Sequence, residues 1–483
     1  MGALTKEIHD RTVLFINKMP KSKRKEYGQF FTAPSVADFM ASLINVDYNK
    51  CKLSILDPGA GSGVLSAAVI THLRDRGYRG EIELTCYETD PNVLPLLENN
   101  LELIKDSCQI NYCMRTEDYI LSQKFGALES SNLYDVIIGN PPYKKIAKDA
   151  EEAKAIPEVC YGAPNLYFIF WAMTIHNLRM GCEAIYIIPR SWTSGAYFAK
   201  FREYLFSKCV ITHLHLFSKR DKVFEGESVL QETIIVKIKK STDRPECIRV
   251  TSSSTSDFSD VSIYDAPYNV VVSKRQYVFL VTDEIEANAL NKVSHFQETL
   301  LSVGLPMKTG IIVDFRTQDV LRNEASDATF PLLFSQHIKN GKVRWPIGKK
   351  NEYICTDRVG FLQENTNYLL VKRFTAKEEK RRLQCGIYLQ SDYPEYTHIS
   401  THNKINFIKC KTPELAYGLF VLMNSTMYDI YYRILNGSTQ VNSTEINSMP
   451  IPDINTIILM GRELIGQDLT ESNCNTIIEQ WIR

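Results

Sequence analysis

The residues best suited to chemistry lie in one short segment, VIIGNPPYKK at residues 136–145, where an apolar run meets an asparagine, two prolines and a tyrosine. Two consecutive prolines remove two backbone N–H donors and fix two φ angles, so the carbonyl groups at this corner lack a partner in their own segment. The side-chain oxygen of Asn140 and the backbone carbonyl of Pro141 are therefore predicted to accept both hydrogens of one planar amino group. Such acceptors would free the nitrogen lone pair to attack a methyl carbon, and catalysis would rest on positioning.

A nucleic-acid base is the expected carrier of that amino group. Tyr143 offers an aromatic ring on which a base can stack. Inside a duplex the amino group is paired, so the nucleotide would have to swing out into the pocket. Phe224, in KRDKVFEGES at residues 219–228, is the candidate for the opposite face of the base, and an ordinary loop hydrophobe is an equally good interpretation of it.

A glycine-rich turn precedes this segment. In DPGAGSG at residues 57–63, Gly59, Gly61 and Gly63 allow a tight turn with close backbone approach, and a helix begins directly after it. The phosphate-binding pattern G-x-x-x-x-G-K-[ST] is absent from the sequence, and Asp57 would repel a pyrophosphate. ATP and dinucleotides are therefore disfavoured as ligands.

Acidic residues at successive strand ends indicate a different nucleotide-like ligand. Asp57 suits a positive amino group, and Glu88 can accept both hydroxyls of a ribose. Asp118 can take an adenine amino group, and Tyr119 can flank the ring. Together these residues fit S-adenosylmethionine better than NAD. The alternative is that they are ordinary helix caps and turn acids.

Short apolar segments alternate with helix-like ones from about residue 50, which predicts a buried, mostly parallel, Rossmann-like α/β sheet of seven strands. The last two segments have no helix between them, so one is expected to run antiparallel. The polar stretch TSSSTSDFSD at 251–260 predicts a boundary between a catalytic domain at 1–245 and an α+β domain at 260–483. The predicted strands are 52–57, 81–88, 109–114, 134–140, 183–189, 211–217 and 232–239.

Composition excludes several classes of protein. The 483 residues contain 56 Lys and Arg against 56 Asp and Glu, so net charge gives no support to any nucleic-acid partner. The twelve cysteines include no C-x-x-C pair, and we expect neither a disulfide framework nor a metal site. No apolar run reaches the ~20 residues that span a bilayer, and the N-terminus lacks a secretory signal pattern. A cytoplasmic location is expected.

The order of motifs resembles the gamma-class DNA adenine-N6 methyltransferases of bacterial restriction-modification systems, over residues 20–240 and more loosely to 452. The C-terminal stretches YLLVKRFTAKEEKRRL and LNGSTQVNSTEINSMPIP are similar to parts of PstI/BsuBI and Eco57I-like methylases. The N-terminal blocks that carry the resemblance are YGQFFTAPSVADFMASL, DPGAGSG, YETD, TEDY, NPPY, NLYFIFWAM, IYIIPRSW and KVFEGESV.

The resemblance implies S-adenosylmethionine as cofactor, double-stranded DNA as partner and a separately encoded restriction endonuclease as a further candidate partner. It implies that the flipped adenine is held by Asn140, Pro141, Tyr143 and Phe224. The cofactor residues that it implies are Phe30, Thr32, Asp57, Gly59, Gly61, Glu88, Asp118, Tyr119 and Phe170.

The resemblance also implies that the C-terminal domain recognises the DNA target sequence. Arginine and lysine can serve phosphates or guanine edges, and asparagine or glutamine can pair with adenine edges. The alternative is a surface helix with charge pairs and a structural turn. The candidate DNA-contacting residues are Lys372, Arg373, Lys377, Arg381, Arg382, Asn436, Gln440 and Asn442.

Two other activities use the same tetrapeptide. Cytosine-N4 methyltransferases of this type more often begin it with serine, so Asn140 favours adenine. Glutamine-directed protein methyltransferases share NPPY, but the long second domain and the GQFFT block weigh against them. A specificity protein without catalysis would show a broken Asn140 or glycine turn, and both are intact. Too few residues precede GQFFT for a nuclease domain, so a methylase without its own nuclease is expected.

Overall fold

A computed structural model describes residues 2–18, 20, 31–123, 125, 133–162, 164–217, 233–376, 378–436 and 439–482. The chain divides into two compact units, Met1–Asp283 and Glu284–Arg483. The described helices of the first unit are α1 Ala3–Lys18, α2 Pro34–Ser42, α3 Val64–Asp75, α4 Leu94–Cys108, α5 Tyr119–Ser122, α6 Glu151–Ala155, α7 Leu166–Asn177, α8 Ala199–Lys208 and α9 Tyr268–Val271.

The first unit is built on one mixed sheet, in which nine strands lie within the described residues in the order β3-β2-β1-β4-β5-β7-β6-β8-β9. Strands β1 to β5 run parallel, and β7 is antiparallel to both β5 and β6, as the missing helix predicted. The strands are β1 Lys52–Asp57, β2 Glu81–Tyr87, β3 Asn111–Arg115, β4 Tyr134–Gly139, β5 Leu178–Pro189, β6 Val210–Phe217, β7 Thr233–Lys239, β8 Cys247–Ser253 and β9 Ser262–Pro267.

All seven predicted strands are present, and β8 and β9 are additional. The stretch 251–260, predicted to separate two domains, instead ends β8 and connects it to β9. The boundary between the two units therefore lies at 283/284, later in the chain than expected. The sequence did not predict these two strands. Alternate residues of β8 and most residues of β9 are less than fully buried, and both sequences are therefore largely polar.

The sheet is covered on both faces, which explains the continuous apolar character of its central strands. Ile55 and Leu56 of β1 are both buried and belong to opposite cores. Helix α7 is apolar on all sides and almost entirely buried, as expected of a helix inside a large core. It contributes the aromatic residues of NLYFIFWAM to one of the two cores.

The second unit combines two sheets with C-terminal helices, in agreement with the expected α+β class. Its described helices are α10 Glu284–Ser294, α11 Pro413–Asn424, α12 Thr426–Leu435, α13 Ser443–Ser448, α14 Ile454–Leu464 and α15 Glu471–Trp481. Its described strands are β10 Lys308–Thr309, β11 Leu321–Arg322, β12 Phe330–Leu333, β13 Ile338–Lys339, β14 Gly341–Val343, β15 Tyr353–Ile354, β16 Gln363–Glu364, β17 Asn367–Lys372, β18 Cys385–Tyr388, β19 His398–Thr401 and β20 Ile405–Cys410.

The two sheets of this unit have the orders β10-β20-β17-β18-β14-β13 and β11-β15-β12-β19-β16. Across the described parts of both units, none of the helices combines the length and apolar character needed to cross a bilayer.

Candidate functional site

The candidate site lies at the carboxyl ends of β1, β2 and β4. Strand β1 pairs with β2 on one side and β4 on the other, so the chain order reverses at this point. In open α/β sheets, ligands bind in the crevice at such a reversal. The turn after β1 and the NPPY corner after β4 meet here, because a Cβ built on Gly139 would lie 3.6 Å from Cδ of Pro58.

The turn after β1 is held by backbone hydrogen bonds. The nitrogen of Ala60 donates to the carbonyl of Tyr87 over 2.9 Å. Gly61 has a φ of 55° and Gly63, which precedes α3, has a φ of 82°, conformations that favour glycine over other residues. The chain can therefore bend sharply here and leave its backbone bare toward the crevice.

Glu88 holds this turn to the next strand end. One carboxylate oxygen accepts from the backbone nitrogen of Gly61 at 3.0 Å, and the other accepts from Thr89 and Asp90, both at 2.8 Å. Burial raises the pKa of Glu88, while these N–H donors oppose that rise. Expected as a ribose acceptor, Glu88 is thus also the residue that fixes the glycine turn.

Asp57 is fully buried at the end of β1. Its Oδ2 accepts a hydrogen bond from the hydroxyl of Ser66 at 2.8 Å, whereas Oδ1 has no hydrogen-bond partner among the described residues. Burial raises the pKa of Asp57 to about 7, with the negative charge of Glu88 adding to the rise and the Ser66 hydrogen bond opposing it. Backbone N–H groups of Gly59 and Ser66 also oppose the rise, so Asp57 interacts with the glycine turn as well as with Ser66.

Asp118 and Tyr119 follow β3 but lie in different surroundings. The carboxylate of Asp118 accepts from the backbone nitrogen of Leu121 at 2.9 Å and caps α5. Burial raises its pKa, and nearby Glu152 adds to the effect. Tyr119 is only 2% exposed, and its hydroxyl donates to Asn177 at 2.7 Å. The ring of Tyr119 is enclosed in the core of this structure, and its place beside a ligand ring stays a prediction.

The apolar wall of the crevice comes from α7. A Cβ built on Gly59 would lie 3.9 Å from the ring of Phe170, and that ring lies 5.6 Å from Tyr119 between centroids. Tyr119 packs in turn against Tyr87 at 5.0 Å. Tyr119 thus supports Phe170, which borders the glycine turn at Gly59. The ring of Phe31 borders the same turn at Gly61, where an added Cβ would lie 3.6 Å from it.

Asn140 is held at both ends of its side-chain amide. Its Nδ2 donates to the hydroxyl of Thr32 at 3.2 Å, and its Oδ1 accepts from the hydroxyl of Tyr143 at 2.9 Å. The same Tyr143 hydroxyl lies 2.9 Å from the backbone carbonyl of Ile187 on β5. Thr32, which was expected beside the cofactor, thus contacts the catalytic candidate Asn140. The contact of the Ile187 carbonyl with Tyr143 was not predicted from the sequence.

Tyr143 packs inward in this structure. Its ring lies 6.2 Å from that of Tyr167 in an edge-to-face arrangement, and burial raises the pKa of its hydroxyl far above the usual value. A neutral hydroxyl keeps its hydrogen, which Tyr143 can donate to either of the two acceptor oxygens, Oδ1 of Asn140 or the carbonyl of Ile187. Stacking of Tyr143 on a base stays a prediction.

Three predicted site residues, Phe30, Phe224 and Lys377, lie outside the described residues. Sequence reasoning also missed Ser66, which is buried beside Asp57. The sequence could have indicated this residue. Ser66 is a single serine among the apolar residues of VLSAAVI, and a buried serine needs a hydrogen-bond partner.

In the second unit, three predicted DNA-contacting residues make hydrogen bonds within the protein. Arg382 is 1% exposed and donates through Nε to Thr375 at 3.1 Å. Asn436 is 2% exposed, and its amide donates to the carbonyl of Gln440 at 3.0 Å. Arg381 donates to the carbonyls of Met423 and Ser425 and pairs with a carboxylate.

The other predicted contacts in this unit are half-buried. Lys372 donates to Gln384 at 2.9 Å. With the amide of Gln440 turned so that its oxygen faces Arg373, that oxygen accepts from Nε of Arg373 at 2.9 Å and also from Nη2. Asn442 donates through its backbone nitrogen to Tyr432. Arg373 and Gln440 are therefore paired with each other in this structure.

Comparisons with known proteins identify the family of this chain. Residues 75–224 match the family model described as Eco57I restriction-modification methylase. The Type II methyltransferase M.BsuBI of Bacillus subtilis is 34% identical over 477 residues, covering 95% of this chain and 94% of the relative. The Type II methyltransferase M.PstI of Providencia stuartii is 31% identical over 487 residues, covering 96% of this chain and 94% of the relative.

Among solved structures, the Type IIL restriction-modification enzyme MmeI in complex with DNA has a TM-score of 0.52 with 12% identity. The match covers 99% of this chain and 73% of that one. At this identity the likeness concerns the fold alone.

Proposed function

This chain belongs to the family of Type II methyltransferases of restriction-modification systems that includes M.BsuBI and M.PstI, and we propose that it methylates the N6 amino group of adenine in double-stranded DNA. The methyl donor in this proposal is S-adenosylmethionine. The observation that carries the proposal is the placement of Asn140, fixed through both ends of its amide, beside the glycine turn at the carboxyl ends of β1 and β4.

The residues around the turn fit the proposed cofactor. The buried carboxylate of Asp57 favours a positive charge, and bare glycine backbone leaves room for close approach. Glu88 and Asp118 supply acceptors for hydroxyl and amino groups, and Phe170 supplies an apolar wall. When bound, S-adenosylmethionine supplies a methyl group activated by its sulfonium charge.

The protein's own contribution to the reaction is positioning. Asn140 Oδ1 and the Pro141 carbonyl would accept the two hydrogens of the target amino group, so the nitrogen lone pair is directed at the methyl carbon. Since these acceptors are held before the reaction, little reorganisation is needed at the transition state. The proton is lost after the nitrogen has become positively charged, so no strong base is required beforehand.

Adenine is favoured over the two alternatives by the first residue of the tetrapeptide and by the second unit. Cytosine-N4 enzymes more often carry serine where this chain has Asn140. A protein glutamine methyltransferase would not require the 200-residue region that follows Asp283. We assign DNA contact to this second unit, with Lys372, Arg373, Gln440 and Asn442 as the remaining candidates.

The test is methyl transfer from labelled S-adenosylmethionine to plasmid DNA, followed by nucleoside mass spectrometry. We expect N6-methyl-2′-deoxyadenosine from DNA treated with the wild-type protein. Asn140→Ala is expected to lose turnover while cofactor affinity stays within about twofold, because the side chain acts on the base. Label found in N4-methylcytosine, or only in protein, would refute the proposal. Collapse of cofactor affinity in Asn140→Ala would refute the role given to that side chain.

A further inference from the structure

Thr32 and Asn140 are far apart in sequence and in hydrogen-bond contact in the structure. The hydroxyl of Thr32 accepts from Nδ2 of Asn140 at 3.2 Å, and Thr32 is 6% exposed. The threonine side chain is therefore buried against the catalytic candidate. The resemblance implied a position at the methionine end of the cofactor, which is a different role.

A planar amide can turn about its last side-chain bond unless both of its ends are held. Nδ2 of Asn140 is held by Thr32 and Oδ1 by Tyr143, which in turn lies against the carbonyl of Ile187. This chain of contacts fixes the plane of the amide. An acceptor oxygen that leaves this plane no longer meets the hydrogen of the target amine, and small errors of this kind slow a reaction strongly.

The backbone that carries Thr32 is itself well supported. Helix α2 begins two residues later with Pro34 and is anchored by the buried residues Val36, Ala37 and Met40. On the same helix, Phe39 stacks on Phe258 with ring centroids 4.1 Å apart. Thr32 thus reaches Asn140 from a segment fixed to the core, as a positioning contact requires.

We propose that Thr32 is a positioning residue whose hydroxyl fixes the side-chain amide of Asn140 for methyl transfer. This inference rests on the proposed function and adds a residue to it. Thr32 acts through Asn140 and touches neither the reacting nitrogen nor the methyl carbon. Its removal should therefore slow turnover and leave cofactor affinity unchanged.

The experiment compares Thr32→Val, Thr32→Ala and Thr32→Ser. Turnover is measured at saturating plasmid DNA and S-adenosylmethionine, cofactor affinity by titration calorimetry, and folding by thermal melting. The control is Thr12→Val, since Thr12 is also buried in the first unit and bonds only locally, to the carbonyl of Ile8. We expect Thr32→Val and Thr32→Ala to lower kcat about 10- to 100-fold with cofactor Kd within about twofold.

Thr32→Ser keeps a hydroxyl at the same position and is expected to retain most of the turnover. Unchanged kcat in both Thr32→Val and Thr32→Ala would overturn the inference. So would a loss in Thr32→Ser as large as in Thr32→Val, since the hydroxyl would then not be the cause. A matching loss of cofactor affinity would assign Thr32 to the cofactor instead. If Thr32→Val fails to fold, Thr32→Ala and Thr32→Ser decide the question.

The two proposals fail in different ways. Wild-type protein that does not methylate adenine in DNA refutes the proposed function whatever the variants do. Wild-type protein that methylates adenine, with Thr32→Val and Thr32→Ala equally active, refutes the role of Thr32 alone.

Discussion

The hydroxyl of Ser66 donates to Oδ2 of Asp57 over 2.8 Å, inside a core where the second oxygen of the same carboxylate has no partner among the described residues. One serine therefore satisfies only part of a buried acid. The same carboxylate interacts with the backbone of Gly59, in the turn that we assign to a positively charged cofactor.

The affinity for S-adenosylmethionine should depend on pH through Asp57. Burial raises the pKa of this carboxyl to about 7, and a positive ligand favours the ionised form. At low pH the carboxyl must lose its proton before binding, so we expect Kd to weaken roughly tenfold from pH 7.5 to pH 6. Calorimetric titration measures this. Asp57→Asn has no carboxyl group to ionise, so it should bind S-adenosylmethionine weakly, with a Kd that changes less with pH. An equal pH dependence of Kd in both proteins would contradict the prediction.

Tyr143→Phe isolates the hydroxyl from the ring. The variant removes the hydrogen bonds to Asn140 and to the Ile187 carbonyl but keeps the aromatic surface. We expect kcat to fall about tenfold because the amide is then held at one end only. Tyr143→Ala should lose more, since it also removes the ring on which a base can stack. Full activity in Tyr143→Phe, measured on plasmid DNA at saturating cofactor, would show that the hydroxyl is dispensable.

The buried histidines of β6 predict acid sensitivity in the first unit. Both ring nitrogens of His215 lie next to hydroxyls, Nδ1 at 2.8 Å from Thr251 and Nε2 at 3.1 Å from Ser253. Burial lowers the pKa of His215 to about 3. The pKa of His215 in the folded protein lies below its ordinary value, so the neutral ring contributes to folding stability. This contribution is complete above about pH 6.5. It is lost as pH falls, because the unfolded chain then takes up a proton that the folded chain does not.

From pH 7 to pH 5 we expect a loss of about 2 kcal/mol through His215. Hydrogen exchange of peptides covering 210–217 measures it. His215→Asn should show weaker protection at pH 7 and a shallower decline, whereas the exposed His295→Gln should behave as wild type. A decline in His215→Asn as steep as in wild type would assign the acid sensitivity to other groups.

Arg382→Met should act on folding and not specifically on DNA. The guanidinium is buried against Thr375 and the ring of Tyr432, so its loss is expected to cost about 2–3 kcal/mol of stability. Thermal melting measures this cost, and DNA affinity per folded molecule should be unchanged. Lys372→Met, which alters a half-buried lysine, is the matched comparison. A selective loss of DNA affinity in Arg382→Met at unchanged stability would restore the original assignment.

The features that sequence could predict are those set by local geometry. The apolar runs of β1 to β7, the glycine turn and the stiff NPPY corner each depend on a few neighbouring residues. The last two strands of the sheet, β8 and the edge strand β9, resemble loops in sequence because many of their residues are polar. Their place in the sheet becomes visible only when the pairing with β6 is known.

The surroundings of several predicted site residues could not be predicted, for another reason. Arg382 and Asn436 carry polar groups that usually face solvent, but tertiary packing buries them with partners. Tyr119 is next to a predicted ligand residue in sequence and turns into the core. Thr32 contacts Asn140, and four strands, β1 to β4, lie between these two residues in the sequence. The sequence spacing gives no indication of such a contact.

The hairpin of β8 and β9 determines the shortest N-terminal fragment that should fold when it is expressed alone. A fragment that stops near residue 245 would lose two strands and also Phe258, which stacks on the helix following Thr32. Expression plasmids for an isolated N-terminal piece should therefore extend to Asp283, and shorter versions are expected to aggregate through the uncovered edge of β6.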